Sequence, residues 1–192
     1  MDLKHKPTAS TGIAETAARL GWLAASVDAV QGGVVNRFTA CLSALEGVAK
    51  ELDTPLAVVG GLAAIHHGAQ VTTLAVDVAV SKDKLEAILS ECPRHGLRLE
   101  AESPKGWHRF NFDHPEGQVG VHVIPEGGNS PRDPPHAPPN PGPRDLGVNK
   151  GLVYASLAPW AVMKLVASRE KDRYHLVEVL KHLPHVTHPN LL

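Results

Sequence analysis

The sequence is short of the features that mark several common classes of protein. Aromatic residues make up only 4% of its 192 residues, which argues against a surface that binds single-stranded nucleic acid by stacking bases on exposed rings. Its net charge of −1 supplies no long-range field to attract nucleic acid or an anionic membrane. It also lacks an apolar run of the roughly 18 residues that a membrane-spanning helix needs. No membrane association is therefore expected.

Cysteine and the common catalytic motifs are equally scarce. The two cysteines, Cys41 and Cys92, stand far apart and lack the spacing of metal ligands. No P-loop, Gly-x-Ser-x-Gly or Cys-x-x-Cys motif is present, so Walker-type ATPases, hydrolases with a nucleophile elbow and thiol redox proteins have no support. Met1 to Ser10 is not followed by an apolar block, so no secretory signal is expected. These observations predict a cytoplasmic location.

Apolar residues, by contrast, form 43% of the chain, and their spacing predicts one α/β domain. Repeats at three and four residues are typical of helices, and short apolar runs bounded by glycine or proline are typical of strands. The predicted helices are 11–30, 34–52, 62–67, 84–90 with Ser81 as its cap, 158–168 and 170–182. The predicted strands are 56–59, 74–80, 97–101, 107–112 and 119–124. We therefore expect an α/β (α+β) fold with a mixed sheet of about five strands, flanking helices and a helical carboxyl-terminal tail.

Proline is so dense between Pro125 and Pro143 that this stretch is predicted to be a long loop, because each proline removes an amide donor and fixes φ. A solvated linker to the helical tail is the favoured interpretation, and a lid over a functional site is the alternative. We expect residues 1–33 to form an amino-terminal tail and helix, residues 34–183 to form one domain that includes this loop, and residues 184–192 to form a tail.

A double glycine follows the first predicted strand, in the segment Val58-Val59-Gly60-Gly61-Leu62-Ala63-Ala64-Ile65-His66-His67-Gly68. Glycines in this position allow backbone amides to converge at the start of a helix, where unpaired N–H groups and the helix dipole favour phosphate. A tight turn is the more common explanation of such a pair. Only the sequence that follows favours an anion site.

Together with Thr72, Thr73 and Asp77 downstream, this segment resembles the nucleotidyltransferase-like superfamily, and within it the group related to abortive-infection type toxins. The resemblance implies the nucleotidyltransferase-like fold and a nucleoside triphosphate as substrate or ligand. It implies that Gly60, Gly61, Thr72 and Thr73 contact the nucleotide, and that Asp77 holds a divalent cation, Mg²⁺ or Mn²⁺.

Three positions depart from the pattern that the resemblance implies. Members of the family carry an arginine where this chain has Val71, and an Asp-x-Asp where it has Ala75-Val76-Asp77. Carboxylates at i and i+2 of a strand point the same way and can share divalent cations, so Ala75 removes half of that chelate. His122 stands where a third carboxylate is implied, and imidazole is a poor ligand for magnesium. The sequence therefore predicts a degenerate metal site, with Asp77 and His122 as its remaining catalytic and metal-binding residues.

The segment from Leu157 to Val177 resembles the helical tail of the same group, with Lys164 implied to face the site and contact the nucleotide, and Asp172 implied to fix the junction between two helices. The remaining histidines suggest little. His66 and His67 are adjacent on a helix and cannot both face one cation, whereas His182, His185 and His188 could clasp a transition metal or simply belong to an exposed tail.

Two functions are compatible with these residues. One is transfer of a nucleoside monophosphate from a nucleoside triphosphate to a hydroxyl on RNA, protein or a small molecule. The other is a catalytically silent relative that binds a nucleotide or a protein partner, as a regulatory or toxin–antitoxin type module would. A structural module without a ligand is a third possibility. The sequence does not indicate the oligomeric state.

Overall fold

The structure is a computed structural model of the chain, and it describes residues 36–102, 107–129 and 136–182. The helix predicted over residues 11–30, the tail predicted from residue 184, and His185 and His188 lie outside these ranges.

Within the described ranges the chain forms five α-helices and six β-strands. The helices are α1 (Arg37–Glu51), α2 (Gly60–His66), α3 (Leu85–Glu91), α4 (Leu157–Ala167) and α5 (Glu170–His182). The strands are β1 (Leu56–Val59), β2 (Ala75–Val80), β3 (Leu97–Glu102), β4 (His108–Phe112), β5 (Val119–Pro125) and β6 (Leu152–Tyr154).

The six strands form one mixed sheet in the order β3-β4-β5-β2-β1-β6. The β2/β5 and β1/β6 pairs are parallel, and the other three pairs are antiparallel. The predicted mixed α/β architecture is confirmed. The sheet has one strand more than predicted: β6 is only three residues long, too short for a periodic signal, and it exists because its backbone pairs with β1.

Helix α1 begins at a capping box and packs on the sheet. The Asn36 side chain accepts hydrogen bonds from the backbone amides of Phe38 and Thr39, and the Thr39 hydroxyl bonds back to Asn36, which satisfies amides that the first turn leaves unpaired. Its residues Phe38, Cys41, Leu45 and Val48 are fully buried in the core. Their spacing is that of one helical face, as predicted.

The predicted helix after β2 differs from expectation at its start. The chain first makes a 3₁₀ turn over Lys82–Lys84, and α3 begins only at Leu85. The predicted cap Ser81 makes no capping hydrogen bond with its side chain. The Lys82 amide instead donates to the carboxylate of Glu126, so a contact distant in the sequence replaces the local cap.

Helices α4 and α5 are joined at a buried carboxylate. Asp172 is fully buried and accepts hydrogen bonds from Lys164 Nζ at 2.8 Å and from the Arg169 guanidinium. Burial by itself raises the pKa of Asp172, but these two bonds and charges outweigh it and hold the pKa below its ordinary value. Between the helices, Ser168 adopts a left-handed conformation with φ of 48°. The ion pairs therefore hold a sharp helix–helix junction, which is the position implied for Asp172.

The turn between β1 and α2 requires both glycines. Gly60 has φ of +65°, and a Cβ atom placed on it would overlap Asp77 Oδ2 on the neighbouring strand. A Cβ on Gly61 would lie 2.7 Å from Thr73 Cβ. The double glycine thus lets the side chains of Asp77 and Thr73 lie directly against the backbone of the turn.

Replacement of Gly60 by alanine should destabilise the protein more than the same change at Gly151. Both glycines have φ near +60°, but nothing lies within 4 Å of a Cβ on Gly151. Gly151→Ala is expected to lower the free energy of unfolding by about 1–2 kcal/mol, the cost of a left-handed alanine. Gly60→Ala adds overpacking against Asp77 and should cost roughly 1–3 kcal/mol more. Urea unfolding of both variants measures the difference, and equal losses would show that the carboxylate does not crowd the turn.

Candidate active site

A cleft of about 1340 Å³ opens over one face of the sheet. Its floor is formed by side chains of β2, β4 and β5, and its walls by the β1–α2 turn, by α4 and α5, and by residues 138–141 of the proline-rich loop. Along β2 the burial alternates, because Val76 and Val78 point into the core while Ala75 and Asp77 point into the cleft. Single cavities that bind small molecules are typically no larger than about 1,000 Å³, so the cleft can hold a sizeable ligand.

All the site residues predicted from the sequence line this cleft, although they come from four separate segments of the chain. They are Gly60, Gly61, Thr72, Thr73, Asp77, His122 and Lys164. Val71, which stands at the implied arginine position, is only 4% exposed and belongs to the core. Burial among apolar residues explains why a valine is suited to this position.

Asp77 and His122 form a hydrogen-bonded pair in the middle of the cleft floor. They are directly opposite each other on the parallel strands β2 and β5, and His122 Nδ1 lies 2.7 Å from Asp77 Oδ1. Burial by itself raises the pKa of Asp77, but the hydrogen bond and charge of His122, with the charges of Lys164 and Lys171, together lower it below its ordinary value. The Asp77 side chain is therefore an ionised, internally paired carboxylate.

The donor atoms of this pair do not fit a magnesium ion. One oxygen of Asp77 is engaged by His122 and the other lies against the Gly60 backbone. Ala75, on the same face two residues earlier, contributes only a methyl group. Across the described ranges, no group of three or more histidine, cysteine, aspartate or glutamate side chains is placed to hold a metal ion. Mg²⁺ prefers oxygen ligands in octahedral geometry, usually one or two carboxylates together with waters and substrate phosphates, and this pair offers a single carboxylate beside a nitrogen donor.

Lys164 lines the cleft, but its charge is neutralised by an ion pair within the protein. It is only 6% exposed, and its Nζ is bound to Asp172 and lies 5.9 Å from the centre of the Trp160 ring. Trp160 in turn donates its indole N–H to the carbonyl oxygen of Gly60 at 3.2 Å. Lys164 therefore supports the wall of the cleft, through contacts that reach the glycine turn.

Two cleft residues were missed by sequence reasoning. Lys171 is exposed, lines the cleft and makes no ion pair with any described residue, so it is a cation available to a ligand. In the sequence, Lys171 could have been recognised by its position next to Asp172. When one residue of this Lys-Asp pair is buried, its neighbour faces outwards. His175, one turn further along α5, is 8% exposed, and its Nδ1 has no hydrogen-bond partner among the described residues.

The environment keeps His175 neutral. Burial is the largest influence and lowers the pKa to about 4, with help from the positive charges of Lys164 and Lys171. The carboxylates of Asp172 and Asp77 act in the opposite direction but are outweighed. A second imidazole thus lies in the cleft wall in its uncharged form at neutral pH.

The adjacent histidines His66 and His67, at the end of α2, make contacts that stabilise the fold. His66 stacks on Tyr154 with ring centroids 4.3 Å apart, and His67 Nε2 lies 2.9 Å from the Ala155 carbonyl oxygen. Both rings tie α2 to the segment that begins with β6, so the structure gives no support to a zinc site there.

No protein family model matches the chain, and no curated protein matches it. Among solved structures, the chain is similar to the crystal structure of ANT(2")-Ia in complex with adenylyl-2"-tobramycin, with 14% sequence identity and a TM-score of 0.44, covering 76% of this chain and 90% of that chain. At this level of similarity no residue role passes from that structure to this chain.

A search of the described helices for a membrane span found none that is long and apolar enough to cross a bilayer.

His175 predicts how stability depends on pH. Its pKa is about 4 in the folded protein, against a reference of 6.5, so between these values the unfolded chain binds a proton that the folded chain does not. Stability should therefore fall as the pH drops from 6.5 to 4, by up to about 3 kcal/mol from this group. The variant His175→Gln, which cannot titrate, should flatten that part of the profile in urea unfolding experiments.

A control variant is His136→Gln, at an exposed loop position, which is expected to keep the profile of the unmodified protein. An unchanged profile in His175→Gln would show that this imidazole is not held neutral in the fold.

Proposed function

We propose that this chain is a nucleotidyltransferase-like protein that binds a nucleoside triphosphate in the cleft and has a degenerate metal site. The observation that carries the proposal is convergence: the residues that the sequence resemblance assigns to the nucleotide all line one cleft. Packing alone seldom gathers polar side chains from three separate segments into a single concave surface, and such convergence is typical of ligand sites.

The phosphates fit best at the end of the cleft formed by the glycine turn and α5. Lys171 offers an exposed positive charge there, and Thr72 is exposed beside the turn. Lys164 is paired with Asp172 and supports the wall at this end of the cleft. A triphosphate is attracted by such charges, which act strongly inside a concave site.

If the chain transfers nucleotide, the oxygen of an acceptor hydroxyl forms a bond to the α-phosphorus and releases its proton to water, the bond from that phosphorus to the leaving oxygen breaks, and pyrophosphate leaves with the electron pair. Transfer of this kind depends on positive charge held against both the entering and the leaving oxygen. The paired Asp77 and the methyl group of Ala75 supply little means of holding such charge as divalent cations, so transfer is expected to be slow. Weak binding of Mg²⁺ or Mn²⁺ by Asp77 and His122 stays a prediction.

A catalytically silent protein is the second candidate, and a specific observation favours it. One oxygen of Asp77 is hydrogen-bonded to His122, and the other is crowded by the backbone of Gly60 without a hydrogen bond to it. A site of this kind suits binding of a nucleotide or a protein partner without chemistry, as in a regulatory or toxin–antitoxin type module. RNA or protein as the acceptor, and a cytoplasmic location, stay predictions from the sequence.

Calorimetric titration with the four nucleoside triphosphates, with and without Mg²⁺ or Mn²⁺, tests the binding proposal. We expect at least one triphosphate to bind, and Lys171→Gln to weaken its binding about two- to tenfold, the effect of losing one exposed charge contact. Lys84→Gln is the matched control, because Lys84 is exposed and lies outside the cleft. Absence of binding by all four triphosphates would refute the proposal.

The degenerate metal site predicts that activity can be raised by restoring a carboxylate. We expect very poor transfer by the unmodified chain with magnesium, a higher rate in Ala75→Asp, and a still higher rate with His122→Asp added. A rise of about tenfold or more is expected, since each 1.36 kcal/mol of transition-state stabilisation is worth about tenfold. Radiolabelled triphosphates with cellular RNA and protein as acceptors provide the assay.

Ala75→Asn is the control, because it has the size of aspartate without its charge. Robust magnesium-dependent labelling by the unmodified chain would contradict a degenerate site. Absence of labelling in every variant would favour binding without chemistry.

A further inference from the structure

Beyond Asp77 and His122 the cleft continues to an aromatic side chain that the mechanism above does not use. Trp107 precedes β4, is half-buried and lines the cleft. Its ring centre lies 6.1 Å from that of His122, with the ring planes 36° apart. The glycine turn begins at the end of β1. Strands β1 and β4 are separated by three strand spacings, or about 14 Å. The cleft thus has two ends, one at the glycine turn and one at Trp107.

The proline-rich loop also forms part of the lining of the cleft. Pro138, Pro139, Asn140 and Pro141 all line the cleft. Asn140 is fixed by its backbone, since its amide donates to Gly128 and its carbonyl oxygen accepts from Gly127, at 2.8 and 2.9 Å. This part of the loop is therefore attached to the end of β5 as part of the cleft, and the favoured sequence interpretation of a solvated linker is wrong for it.

Two hydrogen-bond donors in this region have no acceptor. The Trp107 indole Nε1 and the Asn140 amide Nδ2 are buried and make no hydrogen bond with any described residue. Buried donors are nearly always paired in folded proteins, because leaving one unpaired is costly. An indole N–H and an amide NH₂ can only donate, so a ligand whose binding uncovers these two buried atoms would have to present hydrogen-bond acceptors to them.

We propose that Trp107, Asn140 and the three prolines Pro138, Pro139 and Pro141, here called the base wall, bind the purine or pyrimidine base of the nucleoside triphosphate. The base supplies a flat π-face for the indole and the prolines, and its ring nitrogens and carbonyl oxygens are acceptors for the two unpaired donors. This inference rests on the proposed function, and it sets the orientation of the nucleotide along the cleft.

The charges of the cleft support this orientation. The base wall contains no cation, and the nearby Arg109 is paired with Glu100 at 2.7 Å. Glu102, which also lines this end of the cleft, disfavours phosphate there. Lys171 lies on α5, in the wall of the phosphate end. Phosphates are thus drawn towards the glycine turn and the base towards Trp107.

Comparison of nucleoside triphosphates with inorganic tripolyphosphate tests the base wall. The unmodified chain should bind at least one nucleoside triphosphate more tightly than tripolyphosphate, because only the nucleotide has a base. Trp107→Ala should weaken the nucleotide about fivefold to a hundredfold, the range measured for stacking contacts, and leave tripolyphosphate unchanged. Trp107→Phe and Asn140→Ala, which each lose one donor, should weaken the nucleotide about threefold. Lys171→Gln should weaken both ligands.

Trp107→Phe keeps an aromatic ring in place, so it tests the same contact even if Trp107→Ala does not fold. Tryptophan fluorescence adds an independent readout, since the nucleotide should quench it, tripolyphosphate should not, and the quench should be lost in Trp107→Phe. The inference is overturned if the nucleotide binds no more tightly than tripolyphosphate, or if both Trp107 variants affect the two ligands equally. If the unmodified chain binds neither ligand, the proposed function itself fails.

Discussion

The buried carboxylate of Asp172 is the interaction on which the cleft depends. It neutralises Lys164 inside α4 and binds Arg169 at the junction, so that α5 turns back along the cleft. This direction places Lys171 and His175 in the cleft wall. Removing one partner of a buried ion pair typically costs about 3–5 kcal/mol, because the other charge is left uncompensated. The position of the cleft wall and the electrostatic potential of the site therefore both depend on Asp172.

A second constraint acts on the floor. Asp77 fits against the glycine turn only because Gly60 has no side chain, and its other oxygen is held by His122. The same contacts that make Asp77 a well-ordered anion leave it little freedom to chelate a cation. Under the proposed function, nucleotide binding and metal-dependent chemistry are separate properties: the first depends on the shape and charges of the cleft, and the second on oxygen ligands that Ala75 and His122 do not supply. The proposed binding function depends on the first property alone.

Much of the fold could be predicted from the sequence. The first predicted strand matches β1, and the helix predicted at 170–182 matches α5, because periodicity and glycine or proline boundaries are local properties of the chain. Two features were not predicted, because they depend on contacts between distant parts of the chain. Strand β6 forms by pairing with β1, and the turn before α3 is bound at the Lys82 amide by Glu126. For the site, the resemblance found residues that do meet in one cleft, but it could not reveal which of their atoms are already bonded.

The sequence alone determined the order of the elements, the need for glycine between β1 and α2, and the shortage of carboxylates that Ala75 causes, since each depends on residue type at a known position. Only the tertiary structure decided that Lys164 is paired with Asp172, that Lys171 is a cation without an ion pair among the described residues of the cleft, and that Trp107 and Asn140 line the same cleft. The physical reason is that charge pairing and burial depend on distances between segments far apart in the chain, and no local pattern of residues encodes those distances.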